Sequence, residues 1–147
     1  MSRIERVEIL QVDLTPKVVR TDAIQSVVAQ ETRIVRITCD DGATGTRYSY
    51  TIGTGGSSVV ALLRDHLAPL MIGEDASEVE RLWKKLFFRT HATAVGAITS
   101  LALAAVDTAF VPGTQRIAIR LMLAEGNVVV AETRMTAKRP PRAGAPV

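Results

Sequence analysis

The sequence predicts an α+β fold: a three-stranded antiparallel meander followed by a small helical bundle, with a C-terminal extension of different character. Three observations point there. Up to residue 51 the apolar and β-branched residues fall in short runs of strand length. Between two of those runs stands Asp40-Asp41-Gly42, a hairpin turn with glycine available for positive φ. From Val59 onward the apolar residues recur at helical spacing. Strands first and helices after is the order of an α+β layer architecture.

Ile4 to Leu14 reads as the first strand, with Val7, Ile9 and Leu14 apolar amid Glu5, Arg6, Glu8 and Asp13, and Pro16 ends it. Residues 17–31 are mixed and weakly patterned and read as a long loop. Thr32 to Cys39, "TRIVRITC", is the second strand and Thr44 to Tyr50 the third. Val59, Leu62, Leu63 and Leu67 mark the first helix, with Ser57 or Ser58 as N-cap and Pro69 and Gly73 as stops. Asp75 can cap the next helix, and Ser77-x-x-Glu80 has the spacing of a capping box. Val79, Leu82, Trp83, Leu86 and Phe87 form one apolar stripe, which puts Trp83 in the core. The third helix, Ala94 to Ala109, is apolar nearly all round and should be enclosed by other elements.

The single cysteine, Cys39, excludes an internal disulfide and a cysteine-rich zinc site, and reads as a buried thiol. The N-terminus alternates charge with apolar residues, unlike a signal peptide. The longest uncharged run, Thr90 to Val106, falls short of the roughly 20 apolar residues of a membrane span and carries polar residues throughout. A cytoplasmic location and no membrane partner are therefore expected. The formal net charge of +3 is uneven: residues 1–110 hold 12 Lys/Arg against 13 Asp/Glu, residues 111–147 hold 6 against 2. The basic end has no aromatic residue to interleave with its charges, so no nucleic-acid partner is expected.

The stretch "YSYTIGTGGSS", residues 48–58, poses the functional question, because glycine-rich loops that open a helix often cradle phosphate. Gly53-Thr54-Gly55-Gly56-Ser57-Ser58 puts serine where a dinucleotide fingerprint needs its third glycine, and no lysine follows as in a P-loop. The preceding strand belongs to a meander rather than to a βαβ unit, so the nucleotide reading falls. His66 lies mid-helix beside Asp65 and reads as surface or half-buried. His91, in "RTHAT", is better placed for a ligand, with a structural hydrogen bond as its plainer role. Asp40/Asp41 and Glu74/Asp75 sit at a turn and a helix start, where acids serve local hydrogen bonding and the helix dipole. Motifs alone give no catalytic residue and no metal ligand.

The order of the pieces says more than any one of them. "IERVEILQVDL", a loop, "RIVRITCDDGATGTRYSYTIGTGG", "HLAPLMIGED", "VERLWKKLFF" and "AVGAITSLALAAVDTA" together resemble the N-terminal domain of the mandelate racemase and muconate lactonizing enzyme group of the enolase superfamily, over about residues 3 to 109. The resemblance implies a cap of three strands and several helices closing over a (β/α)-barrel. In that family the barrel carries the acid/base residues and the ligands of a magnesium ion, which stabilises an enolate formed from a carboxylate substrate. It also implies two substrate-covering loops, here about Val19–Ile24 and Tyr48–Gly56. Thr21, Asp22, Tyr48, Tyr50, Thr51 and Thr54 are the substrate-facing candidates. Tyr48 and Tyr50 share a strand face, so they should point in or out together.

Past Asp107-Thr108-Ala109 the family continues into the barrel, whereas here Phe110-Val111-Pro112-Gly113 departs from the pattern and 34 residues follow it. A barrel takes roughly 250 residues, so the expected reading is an isolated cap domain, residues 1–110, inactive alone, with no cofactor of its own and magnesium implied only for the full-length family. A truncated or fused gene product would explain the change at Phe110. Residues 111–147 read as a divergent extension, with a hairpin over 115–136 around Glu125-Gly126-Asn127 and a disordered basic tail over 137–147. The hairpin faintly resembles part of the polyketide-cyclase-like (SnoaL-like) fold. Two other readings stand beside the first: a non-catalytic binding or assembly module that forms a homo-oligomer through an exposed apolar face, and a small cyclase-like enzyme using the tail.

Overall fold

The computed structural model describes residues 2–27, 29–93 and 96–110, and the backbone of a strand at 129–136. The meander is there. Strand β1 (Ile4–Leu14) pairs antiparallel with β4 (Gln30–Cys39), which pairs antiparallel with β5 (Thr44–Thr51). Gly42 takes φ +85° in the turn between β4 and β5, and the Asp41 carboxylate accepts the Ala43 N–H at 2.9 Å. The segment expected as a plain loop is more ordered than its composition suggests. It contains a small hairpin, β2 (Arg20–Thr21) with β3 (Ser26–Val27).

The helices pack on one face of the sheet. The period-2 alternation of β1 and β4 sends Val7, Ile9, Val35, Ile37 and Cys39 to that face, where they meet Val59, Leu63, Leu67, Leu82, Leu86, Ala102 and Val106. Each large aliphatic side chain so buried contributes about 1.5–3 kcal/mol. Cys39 is a buried free thiol, as its strand position predicts.

The first helical stretch runs further than expected in both directions: α1 (Gly56–Ala61), a π-helical turn (Leu62–Leu67) and α2 (Ala68–Met71). Neither Ser57 nor Ser58 caps it. The cap comes from β4, where the Glu31 carboxylate accepts the Gly56 N–H at 3.2 Å. A negative group at a helix start is favoured by the unpaired amides there. Pro69 does not stop the helix either. It sits in the first turn of α2, just past the widened π turn, where a missing N–H is tolerated. The stop is Gly73, at φ +82°.

Helix α3 (Val79–Arg89) begins without a side-chain cap, so the capping box does not form. Asp75 instead accepts the Ser77 backbone N–H at 3.0 Å and its hydroxyl at 2.7 Å. Of the predicted stripe only Leu82 and Leu86 are buried. Trp83 is 38% exposed and stacks on Phe87 at 4.9 Å between ring centroids, and Phe88 is 67% exposed. The expectation of a core tryptophan is thus corrected: the stripe is wider than the surface α3 has to cover. Helix α4 (Ala97–Ala109) is enclosed on most of its circumference, with Ser100, Ala104 and Thr108 left outward.

Strand β6 (Val129–Thr136) adds to the free edge of β1, antiparallel, giving the sheet order β5–β4–β1–β6. It is the second strand of the expected tail hairpin, but its partner is β1. The first strand of that hairpin, the turn at Glu125-Gly126-Asn127 and the tail from 137 onward lie outside the described residues. Among the described residues no helix is long and apolar enough to cross a membrane.

Candidate functional site

The glycine stretch follows directly from β5, and its conformation is set by what lies beneath it. Glu31 and Arg33 fall on the helix-facing side of β4, in parity with Val35 and Ile37. Arg33 is only 1% exposed. Its Nε donates to the Gly56 carbonyl at 3.0 Å, its Nη1 to Asp13 Oδ1 at 3.0 Å and to the Thr32 carbonyl at 3.2 Å, and its Nη2 lies 3.5 Å from Glu31 Oε1. The Thr51 hydroxyl donates to Glu31 Oε2 at 2.6 Å. A guanidinium out of water needs such a set of partners, because its desolvation is offset only when the surrounding acceptors are in place.

The glycines answer to this geometry. Gly53 and Gly55 hold φ +72° and +85°, the left-handed region that side chains with a Cβ avoid. Gly56 is there for room: a Cβ on it would lie 1.9 Å from Arg33 Nη2. The loop of residues 52–55 is therefore fastened at both ends, by Thr51 and by Gly56, to the cluster around the buried Arg33. Sequence reading missed Asp13, Glu31 and Arg33. The signal for Glu31 and Arg33 was available in the alternation of β4, where a charged residue on the core face demands a partner.

The candidates named from the sequence separate into two groups. Tyr48 and Tyr50 are 45% and 49% exposed and lie together on the face of β5 away from the helices, as their shared parity requires. Thr54 is exposed at the loop tip. Thr51 is half-buried, with its hydroxyl engaged by Glu31. In the other loop the Asp22 carboxylate accepts the backbone N–H groups of Ile24 at 2.7 Å and Gln25 at 2.8 Å, which closes the hairpin tip. Those backbone donors, Gln25 first, hold its carboxyl below the usual aspartate range. Thr21 faces Ser26 across the hairpin, hydroxyl to hydroxyl at 3.1 Å. The same hairpin exposes Val18, Val19 and Ile24, an apolar rim unusual for a solvent loop.

Other candidates resolve simply. His91 is exposed with Nδ1 3.0 Å from the Phe88 carbonyl, a local hydrogen bond at the end of α3. His66 is exposed. An apolar cavity of about 410 Å³, lined among others by Ile37, Cys39, Gly45, Val79 and Phe110, lies at the other end of β4 from the glycine loop. Among the described residues no three His, Cys, Asp or Glu side chains converge on a cation site. Those residues therefore do not fit a magnesium ion, and no step through one is assigned to them.

A meander with helices on one face and two loops at its strand ends is an α+β domain. The family model for the mandelate racemase / muconate lactonizing enzyme N-terminal domain matches residues 6–112, and the chain belongs to that family, within the enolase superfamily. It is 37% identical over 75 residues to a 3,6-anhydro-alpha-L-galactonate cycloisomerase of Streptomyces coelicolor, a match that covers 51% of this chain and 21% of the relative. It is 40% identical over 75 residues to a D-mannonate dehydratase of Caulobacter vibrioides, across 51% of this chain and 18% of the relative. Among solved structures, L-talarate dehydratase from Polaromonas sp. JS666, complexed with Mg and L-glucarate, is similar with a TM-score of 0.69 and 27% identity, over 75% of this chain and 31% of that one. A racemase from Streptomyces coelicolor with bound magnesium matches with a TM-score of 0.70 and 32% identity, over 73% and 30%. The chain thus spans about a fifth of the length of these curated relatives.

Proposed function

We propose that this chain is the substrate-covering domain of a sugar-acid or hydroxy-acid enzyme of the mandelate racemase type, inactive until a barrel completes the site. The reaction it would serve is magnesium-assisted removal of the proton α to a carboxylate, followed by dehydration, cycloisomerisation or racemisation. The magnesium and the proton-transfer groups belong to the barrel. This chain would supply loops 19–24 and 48–56, with Thr21, Asp22, Tyr48, Tyr50, Thr51 and Thr54 as the substrate-facing candidates. Thr51 acts there by holding the loop, through Glu31. The observation that carries the reading is the pair of exposed tyrosines leading into a loop fastened from below. Such rings offer an apolar surface and a hydroxyl at small entropic cost. Relatives named as dehydratases and a cycloisomerase of sugar acids support the substrate class. The test mixes the purified chain with the barrel portion of the Caulobacter mannonate dehydratase, with magnesium and D-mannonate. The expected result is turnover only in the mixture, lost on Tyr48→Ala/Tyr50→Ala. Turnover by this chain alone would overturn the reading.

A second reading is favoured by a separate observation. Trp83, Phe87 and Phe88 form an aromatic surface on α3, with Trp83 and Phe88 exposed. A non-catalytic assembly module would use it to form a homo-oligomer. Sedimentation that stays monomeric at high concentration, unchanged in Phe88→Ser, would remove that reading.

A further inference from the structure

We propose that Arg33 is the common root of the two substrate-covering loops and a positioning residue that makes them move together. The assignment rests on where its partners stand in the chain. Asp13 is the penultimate residue of β1, where the first loop departs, and Glu31 is the second residue of β4, where it returns. Thr51 closes β5 and Gly56 opens α1, so they bound the second loop. One buried guanidinium reaches three of these positions directly and the fourth, Thr51, through Glu31. It contacts Asp13 at 3.0 Å, Glu31 at 3.5 Å and the Gly56 carbonyl at 3.0 Å, and Glu31 passes the connection on to the Thr51 hydroxyl and the Gly56 N–H.

The physical consequence is coupling. If the first loop lifts and draws Asp13 away, Arg33 is left buried and short of a counter-charge, which is costly. The guanidinium then follows its remaining acceptors, and the bond to Gly56 is disturbed with it. Residues that share a buried partner are not independent, and perturbations at them do not add. On the reading above, a ligand that orders one loop would order the other; that functional meaning rests on the proposed cap role, whereas the coupling itself does not.

Amide hydrogen exchange of the full chain, without ligand or barrel, tests this. Asp13 is partly exposed, so Asp13→Asn keeps the fold while weakening one charge-assisted bond. The expected result is exchange about tenfold faster at Gly56, whose N–H donates to Glu31, on the loop that Asp13 does not belong to, with α3 and α4 unchanged. Asp13→Glu, which keeps the charge, should restore protection. Thr51→Val should loosen residues 20–27 in return. Faster exchange confined to residues 12–27 in Asp13→Asn, with Gly56 at its wild-type rate, would overturn the proposal. Coupling present but no turnover in the barrel mixture would leave it standing and reject the cap function alone.

Discussion

Gly56→Ala isolates the packing at the base of the glycine loop. By backbone preference alone the change should help, because alanine in a helix is favoured over glycine by about 0.5–1 kcal/mol and Gly56 is not at positive φ. The surroundings reverse that sign. The added Cβ would stand 1.9 Å from Arg33 Nη2, 2.6 Å from Arg33 Cζ and 2.8 Å from Glu31 Oε2. Ordinary contact begins at 3.4 Å, so the guanidinium must retreat by roughly 1.5 Å, since an atom pair inside contact distance gains nothing by staying. A shift of that size breaks the 3.0 Å bonds to Gly56 and Asp13. Only the guanidinium is buried, and losing two hydrogen bonds made by a charged group costs about 1.5–3 kcal/mol each. The net expectation, after the helix gain, is a loss of about 3 kcal/mol, a large share of the 5–15 kcal/mol typical of a domain. With a urea m-value of about 1.5 kcal/mol/M the midpoint falls by about 2 M. The assay is urea denaturation followed by far-UV circular dichroism, with Gly53→Ala as the comparison. Gly53 holds φ +72° in open space, so its cost should be only about 1–2 kcal/mol of backbone strain. If Gly56→Ala loses no more than Gly53→Ala, the argument from the buried arginine is wrong.

Other expectations follow from the same structure. Trp83→Ala should cost under about 1.5 kcal/mol and Leu82→Ala about 2–5 kcal/mol in the same assay, reversing the rank that residue size suggests. Tyr50→Phe should alter stability by no more than about 0.5 kcal/mol. In the barrel-completed enzyme it should lower kcat/KM about tenfold, the worth of one hydrogen bond. Glu74 receives Lys85 at 2.7 Å and Arg81 at 2.5 Å, and these donors, Lys85 first, lower its carboxyl below 4.5. A depressed folded-state value stabilises the fold above the ordinary glutamate range, and that stability is lost as pH falls through the depressed value. Acid unfolding of Glu74→Gln should therefore differ from wild type above the ordinary glutamate range and converge with it only once the pH has fallen through the depressed Glu74 value.

The meander was readable because its signals are local: β-branched alternation in "TRIVRITC" and a turn that needs glycine at residue 42. The helix-facing side of the sheet followed from parity. What stayed hidden depends on residues distant in sequence. Asp13 lies 20 residues from Arg33, and nothing in the first strand marks it as a counter-ion. The cap on α1 was sought in the adjacent serines, whereas it comes from Glu31, 25 residues upstream. Trp83 was misplaced because helical spacing reports an apolar stripe and not how wide a surface the neighbours cover. Of the loop candidates, parity correctly paired the tyrosines, but the local roles of Thr51 and Asp22 needed coordinates.

The pairing of β1 with β6 has a consequence for when the sheet is finished. Arg6 lies opposite Thr136 and Asp13 opposite Val129, contacts of very long sequence separation, which form slowly because a large loop must close first. During synthesis β1, β4, β5 and the helices emerge before β6 exists, so the outer edge of β1 waits with its backbone groups unpaired. An exposed strand edge in a partly made chain is a template for wrong pairing. The first strand made is thus the last to be fully protected, and aggregation during expression should respond to charge placed on that edge more than to changes in the helices.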